Sequence, residues 1–326
     1  MTFDLLAYAA FFLTNALIFG IICLGLNLQW GQTGLFNVGI AGFVAIGAYT
    51  SALLTTPDAP GRFGGFGMPI VVGWLAAALV TGILALVIGA LTLRLRSDYL
   101  AITTFGVAIA IQLTALNFQR LTGGPFGIAF IPRPFASLQG NALAFDVANF
   151  VLVAAVTLIV FVGLERLVRG PWGRVLRSIR EDETAAAAIG KNARVYRLQA
   201  FVLGSAVMGL AGAVQGHFIG FIAPDNYLST ITFQVWVMLI VGGAGNNRGA
   251  LLGAVFVWGL WSGSSALTAT IFPPDQQARA ASLQIVLIGV LLAFILVVRP
   301  RGLLAEPATV SRFVGRKSKH EPKIQG

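Results

Sequence analysis

The chain has 326 residues, of which 57% are hydrophobic and only 10% are charged, and its mean hydropathy is +0.84. Soluble domains carry about 25% charged residues, so this composition excludes a soluble globular fold, which could not cover its own surface with polar groups. The net charge of +10 would suggest nucleic-acid binding in a soluble protein, but basic loops set the orientation of a membrane protein, so nucleic acid is not an expected partner.

Apolar runs of about 20 residues, the length that a helix needs to cross roughly 30 Å of hydrocarbon, recur along the chain. They are continuous rather than alternating, which favours membrane-spanning helices over a β-barrel. The predicted spans cover residues 5–28, 35–54, 69–93, 99–118, 147–165, 198–222, 231–245, 249–271 and 282–298. The predicted fold is therefore all-α, a polytopic membrane protein with about nine transmembrane helices in residues 1–305. Residues 306–326 are expected to form a basic, disordered cytoplasmic tail.

The basic residues predict the orientation of these helices. If nine spans alternate in direction, 18 of the 22 Lys and Arg fall on one side of the membrane and 4 on the other. The side with the larger number is cytoplasmic by the positive-inside rule, which places the N-terminus outside and the C-terminus inside. Residues 1–4 contain no Lys or Arg, so the first apolar run is predicted to be a retained span rather than a signal peptide.

The acidic residues argue against an ion-driven mechanism. All 12 Asp and Glu lie in loops or at span ends, whereas a proton- or sodium-coupled carrier usually has an ionisable residue at membrane depth. Backbone carbonyls can also hold sodium, so an ion-coupled secondary carrier remains the second hypothesis. A scaffold or a membrane-embedded enzyme is the third, although two His and one cysteine, Cys23, leave little for a catalytic or metal site. No catalytic or metal-binding residue is predicted, and a single cysteine allows no internal disulfide.

The longest polar segment, residues 170–197, carries the most specific signal. It opens with Pro171, which suits a first helical turn, and continues with apolar and basic residues at helical spacing. An acidic trio, residues 181–183, favours the start of a second helix, and Gly190 suits its end, where φ is positive. The segment is predicted to form two short helices that are too polar to span the membrane. A solvated amphipathic connector is the alternative interpretation.

This segment resembles the EAA loop of ABC importer permeases, the coupling helix that docks in a cleft of the cytoplasmic ATPase. Ala185, Ala186 and Gly190 have the spacing of that pattern, while Thr184 stands where Glu is usual and Glu183 lies one residue early. The Leu-Pro that follows in the general pattern is missing. The resemblance implies a docking loop with the candidate contact residues Arg174, Arg177, Glu183, Ala185, Ala186 and Gly190.

Most of the chain resembles one subfamily, the LivH/LivM-type permeases of branched-chain amino acid transporters. The likeness rests on six segments in the expected order, residues 27–49, 97–103, 121–127, 173–190, 241–253 and 299–303. The second and third segments match the LivM branch rather than the LivH branch. The resemblance implies a permease of an ABC importer in the bacterial inner membrane, for branched-chain or related amino acids. Related importers carry urea or short amides, which is the alternative solute class.

The resemblance also implies partners. A second, LivH-like permease, two cytoplasmic ATPase subunits and a periplasmic solute-binding protein are expected, in addition to the lipid bilayer. The chain lacks the G-x-x-x-x-G-K-[ST] sequence of a nucleotide-binding loop, so ATP and Mg²⁺ are expected on the partner ATPases. The chain is predicted to be a transport subunit with no enzymatic site and no bound cofactor of its own.

Two glycine-rich interruptions, residues 30–39 and 242–249, are predicted at the cytoplasmic ends of spans. Non-helical backbone at membrane depth is tolerated where it faces protein or a wet cavity, so both are candidates for the translocation path; tight packing with an ordinary turn is the alternative. An unpaired buried amide costs about 1–3 kcal/mol, which makes polar side chains near the spans informative. The candidate path residues are Gln32, Gly34, Asn37, Thr104, Gln112 and Asn117. His217, within the sixth span, is either a core hydrogen bonder or a path residue.

Overall fold

The computed structural model describes residues 2–272 apart from 59, 60, 62 and 96, together with residues 302–306 and scattered positions between 276 and 299. Within these residues the fold is helical. The β-type pairing found there is a single antiparallel bridge between Ile128 and Ile222. In chain order the helices are α1 Thr2–Leu26, α2 Ile40–Thr55, α3 Ile70–Thr92, α4 Ser97–Asn117, α5 Gln119–Thr122, α6 Ala142–Arg169, α7 Pro171–Glu181, α8 Glu183–Ala188, α9 Ala193–Ile219, α10 Ser229–Gly242 and α11 Asn247–Ile271.

Five helices in the described part of the chain are long and apolar enough to cross a membrane, namely α1 with its extension to Gly31, α3, α4, α6 and α9. A sixth is possible if the pair Pro224–Gly242 and Asn247–Ser265, bent by 120°, counts as one span, and α2 is apolar but shorter. A polytopic helical membrane protein is thus confirmed. The count of nine and the orientation stay predictions. Eight of the 17 residues of the ninth predicted span, and the tail beyond Glu306, lie outside the described residues.

The first glycine-rich interruption separates α1 from α2. Helix α1 continues into a π-helical turn, Asn27–Gly31, and α2 begins only at Ile40, so the predicted start of this span at residue 35 is wrong. Gly34 has a φ of +70°, a conformation that ends a right-handed helix. Side chains then replace helical hydrogen bonds, since Thr104 Oγ1 accepts from Val38 N at 3.0 Å.

The second interruption is a tight turn between α10 and α11. Gly243 and Gly245 have φ values of +111° and +88°, which end α10 at Gly242 rather than at the predicted residue 245. Asn246 caps the next helix, because its Oδ1 accepts a hydrogen bond from Arg248 N at 3.0 Å. The two interruptions therefore differ: the first is a π turn followed by an extended segment, and the second is a tight turn of glycines.

Helix α9 lies at the centre of the fold and packs against α1, α2 and α3. Glycines make the close approach possible. A Cβ on Gly25 would lie 2.6 Å from the carbonyl oxygen of Gly204 in α9, and a Cβ on Gly47 would overlap the backbone of Gly209. Such small-residue contacts are typical of helix pairs in membranes, and they explain the glycine-rich spans as packing surfaces.

Candidate functional site

Residues 170–192 fold into the two short helices that the sequence predicts. Asp182 caps α8, because its Oδ1 accepts a hydrogen bond from Ala185 N at 2.9 Å. Gly190 closes α8 with a φ of +79°, and Lys191 N donates to the carbonyl oxygen of Ala186 at 3.1 Å. This is the geometry of a Schellman turn, so the predicted role of Gly190 at the helix end is confirmed.

One side of this helix pair is buried and the other projects into solvent. Ile179, Ala186 and Ala193 form a small buried cluster between α7, α8 and α9. On the other side, Arg174, Glu183, Ala185 and residues 187–190 are exposed, and Ile189 at the tip exposes 70% of its surface. The exposed tip is thus small, apolar and held in one geometry by a cap at each end.

Glu183 is engaged within the chain. Its Oε2 accepts a hydrogen bond from Arg197 Nη1 in α9 at 2.7 Å. The pair ties the start of α8 to the first turns of the following helix. Because both side chains are partly exposed, its contribution to stability is at most about 1 kcal/mol.

Two arginines of α7 reach the first interruption. Arg177 Nη1 donates to Gln32 Oε1 at 3.2 Å and to the carbonyl oxygen of Val168 at 3.3 Å. Arg180 donates through Nη1 to the carbonyl oxygen of Gly31, and the stem of Arg180 lies 3.5 Å from the Cβ position of Gly34. Of the sequence candidates, Arg177, Gln32 and Gly34 are therefore brought together.

The two glycine-rich interruptions also contact each other. Asn27, in the π turn, donates to Asn247 Oδ1 at 2.8 Å and accepts from Gly245 N at 2.8 Å. Gln32 Nε2 donates to the carbonyl oxygen of Gly245 at 2.9 Å. A Cβ on Gly31 would lie 2.5 Å from Gly245 N, so no larger residue fits at that crossing. We call this set of contacts, with Arg177 and Arg180, the polar junction.

Residues 302–306 complete the polar junction from the other side. Leu303 N and Leu304 N donate to the carbonyl oxygens of Val241 and Gly242 at 2.8 and 3.0 Å. This pairing carries Glu306 to Arg180, whose Nη2 lies 3.0 and 2.9 Å from the two carboxylate oxygens. A single arginine in α7 is thus bonded to both the π turn and the C-terminal segment.

Asn37 and Thr104 lie deeper, along the extended part of the first interruption, and both are buried. Asn37 Nδ2 donates to Gln29 Oε1 at 2.8 Å, and Asn37 Oδ1 accepts from Gly39 N at 2.8 Å. Gln29 in turn donates to Ser205 Oγ in α9 at 3.0 Å. These polar groups are satisfied by one another, so they hold the non-helical backbone in place.

The remaining candidates lie apart from this region. Gln112 is half-buried two helical turns along α4 from Thr104, about 12 Å at 1.5 Å per residue. Asn117 is exposed at the end of α4, and its Nδ2 donates to the carbonyl oxygen of Leu113 at 2.7 Å. The structure therefore places four of the six path candidates along one interruption and two at a distance from it.

His217 is buried between α2, α9 and the loop before α6. Its Nδ1 lies 2.7 Å from the carbonyl oxygen of Pro132, and its Nε2 lies 2.8 Å from Ser51 Oγ. A carbonyl only accepts, so Nδ1 carries the proton and Nε2 accepts from the Ser51 hydroxyl. This arrangement favours the core hydrogen bonder of the two interpretations. In the described part of the chain, no three His, Cys, Asp or Glu side chains gather in a way that could hold a metal ion.

The candidates chosen from the sequence do not include four side chains of the polar junction: Asn27, Arg180, Asn247 and Glu306. Arg180 follows Arg177 by one helical turn on the same face, and this spacing is the signal that could have identified it. Asn247 and Glu306 carry no comparable signal, because their partners lie 220 and 126 residues away in the chain.

The chain matches known transport proteins along most of its length. A family model described as the permease component of the branched-chain amino acid transport system matches residues 8–296. The high-affinity branched-chain amino acid transport system permease protein LivM of Escherichia coli is 31% identical over 89% of this chain and 68% of its own length. LivH of the same organism is 23% identical over 89% of this chain and 92% of its own length, so the predicted likeness to the LivM branch is confirmed.

A relative with a different solute in its name also matches. The guanosine ABC transporter permease protein NupQ of Bacillus subtilis is 29% identical over 74% of this chain and 72% of its own length. No solved structure matches the chain.

Proposed function

Because the chain belongs to the permease family of branched-chain amino acid transport systems, we propose that it is the membrane-spanning subunit of an ABC importer in the bacterial inner membrane. The importer carries branched-chain or related amino acids into the cell. Two ATPase subunits hydrolyse ATP with Mg²⁺ on the cytoplasmic side, a LivH-like permease forms the other half of the membrane body, and a periplasmic binding protein delivers the solute.

The observation that supports this proposal best is the α7–α8 pair. Its exposed tip, residues 187–190, is small and apolar, as a surface that enters a protein cleft should be. Its opposite side carries Arg177 and Arg180, which bond to the first interruption. One rigid element therefore offers a docking surface outward and polar contacts inward, which is the arrangement that a coupling loop needs.

The polar junction suggests how motion reaches the membrane body. A displacement of α8 by a docked ATPase moves α7, because Ile179 and Ala186 pack in one buried cluster. Helix α7 then moves Gln32 and Gly31 through its two arginines, and Gly245 follows through its bonds to Gln32 and Asn27. The interruptions respond more readily than intact helices, because few helical hydrogen bonds hold their backbone in place.

The relatives leave more than one solute class to test. LivM is named for branched-chain amino acids and NupQ for guanosine, and both cover most of this chain. The higher identity to LivM supports amino acids as the first candidate and a nucleoside as the second. Urea and short amides belong in the same comparison, since related importers carry them.

Reconstitution of the assembled transporter tests the proposal. Proteoliposomes should contain both permeases and the two ATPases with ATP on the ATPase side, and the binding protein should be added outside. We expect ATP-dependent accumulation of leucine, isoleucine or valine, and we expect that an excess of guanosine or urea does not reduce it. Without ATP, a proton or sodium gradient should drive no accumulation. Gradient-driven uptake by this chain alone would instead support the ion-coupled carrier.

A further inference from the structure

A cavity of about 270 Å³ lies beside the polar junction, and most of its lining residues are charged or carry an amide. The end of α6, helix α7, the turn before α11 and the C-terminal segment form its walls. Its lining includes Glu165, Val168, Arg169, Arg177, Asn247 and Glu306. The volume is slightly below the roughly 300–1,000 Å³ of sites for drug-sized ligands, which suits a small solute. The predicted orientation places this cavity on the cytoplasmic side.

Acidic and basic side chains both line the cavity, but only some of them form ion pairs with other side chains. Glu165 Oε1 lies 2.6 Å from Arg169 Nη2, and Glu165 Oε2 accepts from Asn247 Nδ2 at 2.7 Å. Glu306 pairs with Arg180. Arg177 differs, because its hydrogen bonds go to two neutral oxygens, on Gln32 and Val168, and no ion pair joins it to a carboxylate in the described part of the chain.

This distribution selects a ligand by charge. An anion would meet Glu165 and Glu306 as well as Arg177, and a cation would meet the arginines, so a ligand with one sign of charge is opposed. A carboxylate next to an ammonium group satisfies both sets of walls. The guanidinium of Arg177 has donors free for a carboxylate, and the two glutamates keep acceptor capacity beyond their present bonds, since a carboxylate offers about four lone-pair sites.

We propose that this cavity binds a zwitterionic α-amino acid, with its carboxylate on Arg177 and its ammonium group between Glu165 and Glu306. Val168 is the one apolar side chain among these lining residues, which is too little apolar surface to recognise a branched side chain. The site should therefore recognise the carboxylate and the ammonium group that all α-amino acids share. The inference rests on the proposed function for the identity of the solute, because an amino-acid importer brings this ligand to the cytoplasmic side.

A bound amino acid would link α6, α7 and the C-terminal segment. It would therefore hold α7 against the interruptions and oppose the displacement that the ATPases cause. The ligand has two possible sources, the solute that leaves the translocation path and the amino acid already present in the cytosol. If the solute that leaves the path supplies the ligand, the cavity is a binding site on the exit route. If the cytosol supplies it, the cavity is a site of inhibition by the transported product.

Calorimetric titration of the assembled transporter in nanodiscs, without the binding protein, tests the site directly. The ligands are L-leucine, L-alanine, leucinamide, which lacks the carboxylate, and 4-methylpentanoate, which lacks the ammonium group. We expect leucine and alanine to bind with similar affinity. Each truncated analogue should bind about tenfold more weakly or worse, because a hydrogen bond to a charged group is lost. Equal binding of leucine and either analogue would overturn the proposal.

Variants assign this binding to the cavity. Glu165→Gln keeps the size of the side chain and removes its charge, whereas Arg177→Gln keeps a donor but shortens the side chain and removes its charge. Both should weaken leucine binding about tenfold or more. Arg166→Gln is the matched control, because Arg166 is exposed next to Glu165 and does not line the cavity. Glu165→Gln remains a test if Arg177→Gln fails to assemble. Unchanged leucine binding in an assembled variant of either kind would overturn the proposal.

Uptake by the same variants in proteoliposomes, with the binding protein added outside, separates this inference from the proposed function. If ATP drives leucine uptake but no titratable site depends on Arg177 and Glu165, the inference fails and the function stands. If the site binds leucine but ATP drives no amino-acid uptake, the function fails. Leucine on the ATPase side should slow initial uptake if the cytosol supplies the ligand, and Glu165→Gln should relieve this effect. If the exiting solute supplies it, Glu165→Gln should lower maximal uptake while leucine on that side has no effect.

Discussion

Arg180 in α7 donates a hydrogen bond to the carbonyl oxygen of Gly31 in the π turn, although 149 residues separate the two in the chain. Gly31 lies in the last turn of its helix, and the N–H groups of Gly34 and Leu35 bond to Trp30 and Gln29 instead, so the carbonyl oxygen of Gly31 is available to a side chain. The same guanidinium holds both carboxylate oxygens of Glu306. The contact joins the α7–α8 pair to the membrane body, and the proposed coupling depends on it.

Replacement of Asn27 by Leu should destabilise the protein. Asn27 is fully buried, and the change would leave Gly245 N and Asn247 Oδ1 without the partner that Asn27 provides. An unsatisfied buried polar group costs about 1–3 kcal/mol, so thermal unfolding of the detergent-purified chain should occur at a clearly lower temperature. Asn117→Leu is the control, because Asn117 is exposed and bonds only to its own helix. Equal unfolding temperatures for the two variants would contradict the polar junction.

Gly47→Ala should separate α2 from α9. The added Cβ would overlap the backbone of Gly209, and overpacking of this kind costs about 1–3 kcal/mol. Gly163→Ala offers a control in α6, since among the described residues none comes within 4 Å of its Cβ position. Membrane accumulation and thermal unfolding should fall for Gly47→Ala and stay unchanged or improve for Gly163→Ala. If Gly163→Ala lowered accumulation and unfolding temperature more than Gly47→Ala did, α2 and α9 would not pack as closely as the structure shows.

Gly190→Trp should prevent the ATPases from docking while the chain still inserts normally. Apart from its neighbours in sequence, no residue in the described part of the chain lies within 4 Å of the Cβ position of Gly190, so the space there is open for a docked partner and a bulky side chain would obstruct it. Gly190→Ala shares the backbone strain, about 1–2 kcal/mol at a positive φ, without the bulk. Co-purification of the ATPases should be lost for Gly190→Trp and largely kept for Gly190→Ala.

Glu183→Ala gives a second comparison at the same helix pair. It removes a partly exposed ion pair with Arg197 and should therefore impair co-purification and uptake less than Gly190→Trp does. If Gly190→Trp retains full assembly and full uptake, residues 170–192 form a simple connector.

Reporter fusions test the predicted orientation. Fusions after Arg197 and after Leu304 should report a cytoplasmic location, because the two segments in which they lie, residues 166–197 and 299–326, hold 15 of the 22 basic residues. A fusion near Gly61 should report a periplasmic location. A periplasmic signal from the 166–197 segment would contradict both the nine-span topology and the docking of α8 on a cytoplasmic ATPase.

Local signals in the sequence predicted the local structure. Pro171, the acidic trio and Gly190 predicted the α7–α8 pair, because caps and turn residues act within a few neighbours. The predicted start of α2 is wrong, since Leu35, Phe36 and Val38 extend the apolar run that predicts a helix. Gly34 and the hydrogen bond from Val38 to Thr104 instead hold this segment out of a helix. Apolar periodicity cannot report a side chain that replaces helical hydrogen bonds from another span.

The arrangement of the candidate site could not be predicted in the same way. The two interruptions were recognisable by their glycines, but their mutual contact through Asn27 and Asn247 joins residues 220 positions apart. Contacts over such distances depend on how the helices pack, and no short pattern encodes that packing. The pairing of Arg180 with Glu306 is of the same kind, since it depends on residues 302–304 following the end of α10.

The Arg180→Gln variant tests the central claim most directly, through leucine uptake and ATP hydrolysis measured together in the assembled transporter. Glutamine keeps a donor but loses the charge and the reach to both Gly31 and Glu306, while the exposed docking tip is unchanged. We predict normal assembly, continued ATP hydrolysis and clearly less leucine taken up per ATP, because the contacts that would pass the motion of α7 to the π turn and to the C-terminal segment are lost. Arg166→Gln should behave as the unmodified transporter. An unchanged ratio of uptake to hydrolysis in assembled Arg180→Gln would contradict coupling through the polar junction.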